Sequence, residues 1–262
     1  MSRAEPMVIG ADLKQVLRRL RLSPILETLP ERLTLARQRK TPHQDFMLSV
    51  LRAEVERRDG AAAQARATKA QLDPEMQLEL WDETAKVKYD HELWAELCTL
   101  RFIEEHHHVL VLGPVGVGKT FLANALGHIA CRRGYSALAI RADDLFKELK
   151  VSRLDQTHER EMRRLIGLDL LILDDFALDQ MDATESRDLY DIVLERHRRR
   201  SIIVTSNREP DEWLPMLADP IRAQSTVDRL QNAAYELVID GESYRKRQKP
   251  KARKRPRSKK RR

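Results

Sequence analysis

The chain has 262 residues, of which 42% are hydrophobic, which is enough for one large domain or two smaller ones with a buried core. It has no apolar run near the roughly 20 residues of a membrane span, no signal-peptide segment, and only two cysteines, so we expect a cytoplasmic protein without membrane association. The net charge of +7 does not make the whole chain basic. Residues 246–262 contain 12 Lys/Arg and no Asp/Glu, whereas the first 245 residues carry 36 basic and 41 acidic groups, a net of −5.

The first 75 residues have the pattern of a small helical domain. Four leucine and valine residues repeat at the spacing of an amphipathic helix: Leu13, Val16, Leu17 and Leu20. A capping-box start at Thr41–Gln44 predicts a second helix. Its buried face is expected to consist of Phe46, Val50, Leu51 and Val55.

A phosphate-binding loop follows the first predicted strand. Gly113–Thr120 fits the pattern G-x-x-x-x-G-K-[ST], between the apolar run Val109–Leu112 and a helical stretch from Phe121 to Arg133. Such a loop turns its backbone N–H groups around a triphosphate, Lys119 reaches the β- and γ-phosphates, and the Thr120 hydroxyl ligates Mg²⁺. The motif predicts binding of ATP or GTP. The expected nucleotide-binding residues are Gly113, Pro114, Val115, Gly116, Val117, Gly118, Lys119, Thr120 and Phe121.

Short apolar segments alternate with amphipathic helices over the rest of the chain, which predicts a parallel α/β sheet. The five strand candidates are Val109–Leu112, Ala137–Ile140, Leu168–Leu173, Ile202–Ser206 and Glu236–Ile239. A capping-box arrangement of Asp182 and Glu185 predicts the start of the helix before the fourth strand.

The segment Lys147–Arg164 lies between the second and third strands and carries six cations. Their arrangement is consistent with a surface that contacts successive phosphates. The same charges also suit an ordinary exposed helix, since acidic residues are interleaved with them. His106–His108 are too close in sequence to hold one metal from a strand, so we interpret them as strand-edge polarity.

Polar side chains follow the third and fourth strands. Asp174 and Asp175 end an apolar strand, where Asp174 is expected to hold Mg²⁺ and Asp175 to orient or deprotonate the attacking water. Asn207 follows the next strand. Since ligands bind at the carboxyl ends of parallel strands, Asn207 is placed to hold that water, although it is also suited to starting a turn.

The tail, residues 246–262, has almost no apolar residue and is expected to be disordered. Such arms usually bind polyanions, in a salt-dependent manner that does not depend on sequence. The alternative is a solubilising tail without a specific partner.

Together, several motifs resemble those of one family. They are Leu100–His106, Gly113–Thr120, Leu170–Asp175, Thr205–Asn207, Asp228–Leu230 and Gly241–Arg245. The combination resembles the IstB family of transposition helper ATPases, in the initiator-like branch of AAA+ proteins, which is similar to the helicase loader DnaC. The resemblance spans roughly residues 13–245 and leaves out the tail.

The resemblance implies an α/β fold: an AAA+ P-loop NTPase with a central parallel five-stranded sheet, a small all-helical N-terminal domain and no full lid domain. The expected domains are a helical adaptor that binds DNA or a partner (1–75), the ATPase domain (76–245) and the basic tail (246–262).

The resemblance also implies roles for individual residues. Lys119 and Thr120 are Walker A residues, and Thr120 and Asp174 are the expected metal ligands. The expected catalytic residues are Asp175 of Walker B, Asn207 as sensor 1, and Arg229 as an arginine finger supplied to a neighbouring subunit, with Arg222 as a weaker candidate. Arg245 resembles a nucleotide-contacting sensor arginine, although the chain has no room for a lid domain after it.

The implied function is ATP-dependent assembly of a homo-oligomer on double-stranded DNA in the bacterial cytoplasm, and recruitment of a cognate transposase. The implied cofactors are ATP and Mg²⁺. Asp175 stands where most AAA+ proteins have glutamate, which predicts a slow ATPase dependent on DNA and oligomerisation. Two alternatives remain open: a loader of a replicative helicase, and a nucleotide-gated scaffold that does not hydrolyse ATP.

Overall fold

The computed structural model describes residues 7–244, so Arg245 and the basic tail lie outside the described residues. The chain divides into two compact units, of which the first ends at Ala65 and the second begins at Arg66. Among residues 7–244, no helix is both long and apolar enough to cross a membrane.

The first unit consists of α1 (Ala11–Arg19), α2 (Ile25–Arg39) and the greater part of α3 (His43–Lys69). Ile9, Ile25, Leu29 and Val50 form its core, against which Leu17 packs. The expected helices are present, but the predicted buried faces were partly wrong. The residues found exposed are Leu13, Val16, Leu20, Leu51 and Val55. A helix turns about 100° per residue, so Leu51 and Val55 lie about 100° and 140° around α3 from the buried Val50. In α1, Leu17 is the one member of the predicted stripe that packs against the core, so the neighbouring helix covers only part of that stripe.

The second unit begins within α3 and continues with the following elements, in chain order. After a 3-10 turn (Leu78–Leu80) come β1 (Val87–Lys88), α4 (His91–Cys98), α5 (Arg101–Glu104), β2 (His108–Leu112), α6 (Lys119–Arg132), β3 (Ala137–Arg141), α7 (Ala142–Leu154), α8 (His158–Gly167), β4 (Leu170–Asp174), α9 (Ala183–Arg196), β5 (Ser201–Ser206), a second 3-10 segment (Pro210–Met216), α10 (Pro220–Asn232), β6 (Ala234–Val238) and β7 (Asp240–Gly241).

Five of these strands form a parallel sheet in the order β3-β4-β5-β2-β6. The three inner strands β2, β4 and β5 are fully apolar at their centres because both sheet faces are covered there, whereas the edge strand β6 has the exposed Glu236 at its centre. In β2, Leu110 and Leu112 pack into the core on one face, whereas Val109 and Val111 pack into the core on the other. The five predicted strands and the parallel α/β fold are thereby confirmed.

Two local features of the prediction can be compared with the structure. Asp182 caps α9 in a capping box with Glu185, as the sequence indicated. The boundary between the units lies before residue 75, because Ala67, Ala70 and Leu72 pack into the core of the second unit.

The ends of β2, β4 and β5 lie side by side in the sheet. Leu112 of β2 is in register with Ser206 of β5, and Leu173 of β4 with Val204 of β5. Because parallel strands end at one edge, residues that follow these three strands are brought together. Beyond this edge, β1 and β7 pair in a separate two-stranded sheet.

Candidate functional site

The loop Gly113–Thr120 connects β2 to α6, whose first residue is Lys119. Gly113, Gly116 and Gly118 have φ values of +144°, +86° and +103°, which side-chain-bearing residues rarely adopt. A Cβ on Gly113 would lie 2.0 Å from the carbonyl oxygen of Ile239. The glycines thus permit a tight loop whose N–H groups and helix start can face an anion.

Lys119 lies under this loop. Its Nζ donates hydrogen bonds to the carbonyl oxygens of Gly113 (2.8 Å) and Pro114 (2.9 Å) and to Oδ1 of Asn207 (2.5 Å). The predicted Walker lysine and the predicted sensor asparagine are therefore in direct contact across the ends of β2 and β5.

Thr120 and Asp174 form an oxygen-rich pair beside the lysine. The Thr120 hydroxyl donates to the carboxylate of Asp174, with Oγ1 2.9 Å from Oδ1 and 3.1 Å from Oδ2. A hydroxyl and a carboxylate are ligands of the type that Mg²⁺ prefers, completed by water and phosphate oxygens. The residues present therefore fit the expected magnesium ion.

Thr205 supports this pair, a role that its position within a predicted strand does not indicate. Its hydroxyl donates to Oδ1 of Asp174 (2.5 Å) and accepts a hydrogen bond from the backbone N–H of Asp175 (3.0 Å). Thr205 is fully buried. It fixes the Asp174 carboxylate and the start of the turn after β4 in one arrangement.

Asp175 follows Asp174 in the left-handed region, with φ of +51°. Aspartate tolerates this conformation better than most residues. Asp175 lines the same cavity as Lys119, Thr120 and Asn207. The four residues predicted from separate parts of the chain thus surround one space.

This cavity has a volume of about 550 Å³. Its lining includes the glycine-rich loop from Val115 to Gly118 and apolar side chains, among them Met76, Leu80 and Phe121. A site that combines loop N–H groups and a cation with apolar surface suits a nucleoside triphosphate, whose base is flat and aromatic.

Trp81 was missed by sequence reasoning. Its indole lies 5.1 Å from the Phe121 ring, centroid to centroid, and a Cβ on Gly118 would approach it to 2.8 Å. Trp81 lines the cavity. It lies in a segment with no motif, and its only signal is an aromatic residue in a mostly acidic stretch, Glu79–Glu83.

The segment after β6 also contacts the loop, at Gly116. The backbone N–H of Tyr244 donates to the carbonyl oxygen of Gly116 (2.8 Å), and a Cβ on Gly116 would lie 2.2 Å from the Ser243 hydroxyl. Tyr244 lines the cavity. Arg245, the predicted sensor arginine, lies outside the described residues.

In the part of the chain that the structure describes, Arg229 and Arg222 are not among the residues that line the cavity. Both are on α10, where the Arg229 guanidinium donates to the Ser225 carbonyl oxygen (2.8 Å) and lies 6.0 Å from the centroid of the Tyr190 ring. Arg222 forms an ion pair with Asp219 at 3.8 Å.

The six cations predicted as a phosphate-tracking surface on α7 and α8 are all in ion pairs. Each of Lys147, Lys150, Arg153, Arg160, Arg163 and Arg164 contacts at least one carboxylate. Residues 142–167 contain six basic and six acidic groups, a net charge of zero. This neutral surface favours the interpretation as an ordinary exposed helix pair.

Comparison with known proteins matches most of the chain to one family. The family model described as IstB-like ATP binding protein matches residues 15–252, which extends seven residues into the basic tail. An insertion-sequence ATP-binding protein of Mycobacterium tuberculosis is 34% identical over 91% of this chain and 95% of its own length. The IS21 ATP-binding protein of Pseudomonas aeruginosa is 32% identical over 92% of this chain and 91% of its own length.

Solved structures share the AAA+ fold at lower identity. DnaI has a TM-score of 0.55 and 22% identity, over 64% of this chain and 95% of its own. The DnaC helicase loader has a TM-score of 0.52 and 19% identity, over 64% and 98%. The replication initiator DnaA bound to AMPPCP and single-stranded DNA has a TM-score of 0.53 and 23% identity, over 64% and 51%.

Proposed function

Because the chain belongs to the family of IstB-like ATP-binding proteins, we propose that it is a DNA-dependent AAA+ ATPase of transposition. In this proposal it assembles as a homo-oligomer on double-stranded DNA in the bacterial cytoplasm and then recruits and stimulates a cognate transposase. The observation that carries the proposal is the joining of Lys119 to Asn207 and of Thr120 to Asp174 at one sheet edge, in a chain whose relatives are named as insertion-sequence ATP-binding proteins.

Each residue of the site has a distinct part in hydrolysis. Lys119 and the loop N–H groups bind the phosphates, and Thr120 and Asp174 hold Mg²⁺, which neutralises charge that develops on the phosphates. Asp175 accepts a proton from the attacking water, and Asn207 orients that water. Trp81 and Tyr244, both in the lining of the cavity, contact the base.

Assembly completes the site in this proposal. Arg229 lies on α10 away from its own cavity, which supports a role at the nucleotide of a neighbouring subunit. An arginine supplied across an interface stabilises transition-state charge and makes turnover depend on oligomerisation. Arg245 is proposed to contact the nucleotide, since it directly follows Tyr244, which lines the cavity.

We propose a slow turnover rate because Asp175 has a shorter side chain than the glutamate usual in AAA+ proteins. ATP hydrolysis then acts as a timer for residence on DNA. The test is phosphate release by the full chain with and without duplex DNA, compared with Lys119→Ala and Asp175→Asn. DNA stimulation that both substitutions abolish supports the proposal, whereas fast hydrolysis by isolated monomers contradicts it.

Two alternatives give different results in simple experiments. If the chain co-purifies with a replicative helicase and not with a transposase, it is a helicase loader. If ATP binds but no phosphate is released with DNA present, it is a non-hydrolysing scaffold. An adjacent open reading frame for a DDE-type transposase supports the proposed role.

A further inference from the structure

Positive charge is unevenly divided between the two units. Residues 7–65 carry 11 Lys/Arg and 7 Asp/Glu, a net of +4, whereas residues 66–244 carry 23 and 33, a net of −10. The excess is greatest over α1 and α2, since residues 11–40 contain eight basic and three acidic groups, a net of +5. The first unit therefore attracts polyanions, and the second unit as a whole repels them.

The cations of α1 and α2 form two triplets. One triplet lies at and just after the C-terminal end of α1, and the other lies at the C-terminal end of α2. The members are Arg18, Arg19, Arg21, Arg37, Arg39 and Lys40. All six side chains are exposed. Within residues 7–244, none of the six side chains has an ion pair or a hydrogen bond with another group. We call this set the cationic surface.

The cations of α7 and α8 equal those of the cationic surface in number, but they are less available to a phosphate because carboxylates already pair with them. There, six cations are each paired with a carboxylate and the net charge is zero. An exposed ion pair contributes at most about 1 kcal/mol, so a single pair can be broken. A phosphate that displaced these carboxylates would nevertheless leave uncompensated negative charge beside it. The cationic surface has no such competitors.

The two triplets lie near opposite ends of α2. α1 runs back along α2, because the backbone N–H of Met7 donates to the hydroxyl of Thr34 (3.2 Å) while the N–H of Ile25 donates to the carbonyl oxygen of Leu22 (3.1 Å). The end of α1 is therefore near the start of α2. α2 has 15 residues and is about 22 Å long.

This separation matches an extended polyanion. Phosphates on one strand of duplex DNA repeat about every 3.4 Å along the axis, so about six of them span the length of α2. A small acidic ligand could occupy only one triplet. A duplex can contact both.

We propose that the first unit binds the phosphate backbone of duplex DNA through the cationic surface, and that α7 and α8 do not. This inference rests on the proposed function, because it assigns the DNA contact to a particular part of the chain. Contacts of this kind carry no sequence information and position the protein on the duplex.

The test uses two charge-matched variants of the full chain. The first is Arg18→Ala/Arg19→Ala/Arg21→Ala, and the control is Arg160→Ala/Arg163→Ala/Arg164→Ala, three exposed arginines of α8. Binding of a fluorescently labelled duplex is measured by anisotropy at several KCl concentrations. ATP affinity and circular dichroism of both variants confirm that they are folded.

We expect the affinity of the first variant for the duplex to fall at least tenfold. The slope of log K against log [KCl] should decrease by about 0.9 for each phosphate that the variant no longer neutralises, up to three phosphates. The α8 variant is expected to retain the wild-type slope. Equal decreases in both variants, or an unchanged slope in the first, overturn the inference while leaving the proposed function intact. If the unmodified chain does not bind duplex DNA at any salt concentration, the proposed function fails as well.

A protein partner gives a distinguishable result. If the α1 variant binds DNA as the unmodified chain does but no longer binds the purified transposase, the cationic surface binds an acidic protein and the inference is wrong.

Discussion

The ammonium group of Lys119 donates a hydrogen bond to Oδ1 of Asn207 at 2.5 Å, which joins the start of α6 to the end of β5. The phosphate-binding loop and the residue proposed to orient water are therefore not independent. The charge on the lysine strengthens this hydrogen bond, while two loop carbonyl oxygens hold the ammonium group as well.

Asn207→Ala is expected to lower ATP hydrolysis about 100-fold, because it removes a polar group positioned where charge develops in the reaction. Nucleotide affinity should change little, since Lys119 keeps its loop contacts. Phosphate release and nucleotide titration provide the two measurements. Asn232→Ala, at an exposed asparagine of α10, is the control. An equal loss of affinity and rate contradicts the proposed role.

Asp175→Glu is expected to raise the DNA-stimulated hydrolysis rate, because the longer side chain brings the carboxylate closer to the attacking water. The left-handed backbone at this position, φ +51°, should cost the variant about 1 kcal/mol of folding stability, because Glu adopts this region less readily than Asp. Steady-state kinetics and urea unfolding measure the two effects. Asp179→Glu, four residues on and exposed, controls for the extra methylene. If the folded Asp175→Glu variant is no faster, side-chain length does not limit the rate.

Trp81→Ala is expected to weaken ATP binding by about 1–3 kcal/mol, the usual contribution of an aromatic ring stacked on a base. Trp81→Phe should retain most of the affinity. Inorganic tripolyphosphate, which has no base, should bind the alanine variant and the unmodified chain equally. If tripolyphosphate binding falls as much as ATP binding, Trp81 acts by supporting the loop at Gly118 instead.

His108 makes the second unit sensitive to acid. Its imidazole is buried at the start of β2, and burial, together with the positive charge of His197 and Arg196, lowers its pKa from 6.5 to about 3. Between these values the unfolded chain binds more protons than the folded one, so stability is lost as the pH falls from 6.5 towards 3.

The expected loss from His108 between pH 7 and pH 5 is about 2 kcal/mol. Urea unfolding at both pH values measures it. His108→Gln, which can still accept the hydrogen bond from the Ile202 N–H, should show a smaller pH dependence, and His43→Gln, at an exposed position, should show the wild-type dependence. Because the measured quantity is the difference between two pH values, a uniform destabilisation of the variant does not interfere. An unchanged pH dependence in His108→Gln contradicts the assignment.

The sheet could be predicted because its signals are local. β2, β4 and β5 are short apolar runs buried on both faces, and such runs are visible without knowing which strands pair. The N-terminal helices were less predictable. Periodicity and a capping box predicted α1 and α3, whereas α2 was not predicted. α1 and α3 each carry more apolar residues than one contact face can cover, as the exposure of Val16 and Val55 shows.

The candidate site divides in the same way. Lys119, Thr120, Asp174 and Asn207 lie in or beside strand ends with recognisable spacing, so their meeting at one edge follows from the parallel topology. Trp81 and Thr205 were missed for different reasons. Trp81 reaches Gly118 only through the fold, 37 residues away in sequence. Thr205 belongs to a predicted strand, where its side chain could have served the core.

Deletion of residues 246–262 is expected to weaken binding to duplex DNA, because it removes 12 basic groups and no acidic ones. The slope of log K against log [KCl] should fall by about 0.9 for each phosphate that the tail neutralises in the unmodified chain, and nucleotide affinity should remain unchanged. Anisotropy titrations of the full chain and of a chain ending at Arg245 measure the difference.

Replacing the 12 basic residues with serine separates the effect of the tail's charge from the effect of its length. Since the first unit has a cationic surface of its own, the shortened chain should keep part of its salt dependence. An unchanged slope after the deletion shows that the tail does not contact DNA and leaves solubility as its role.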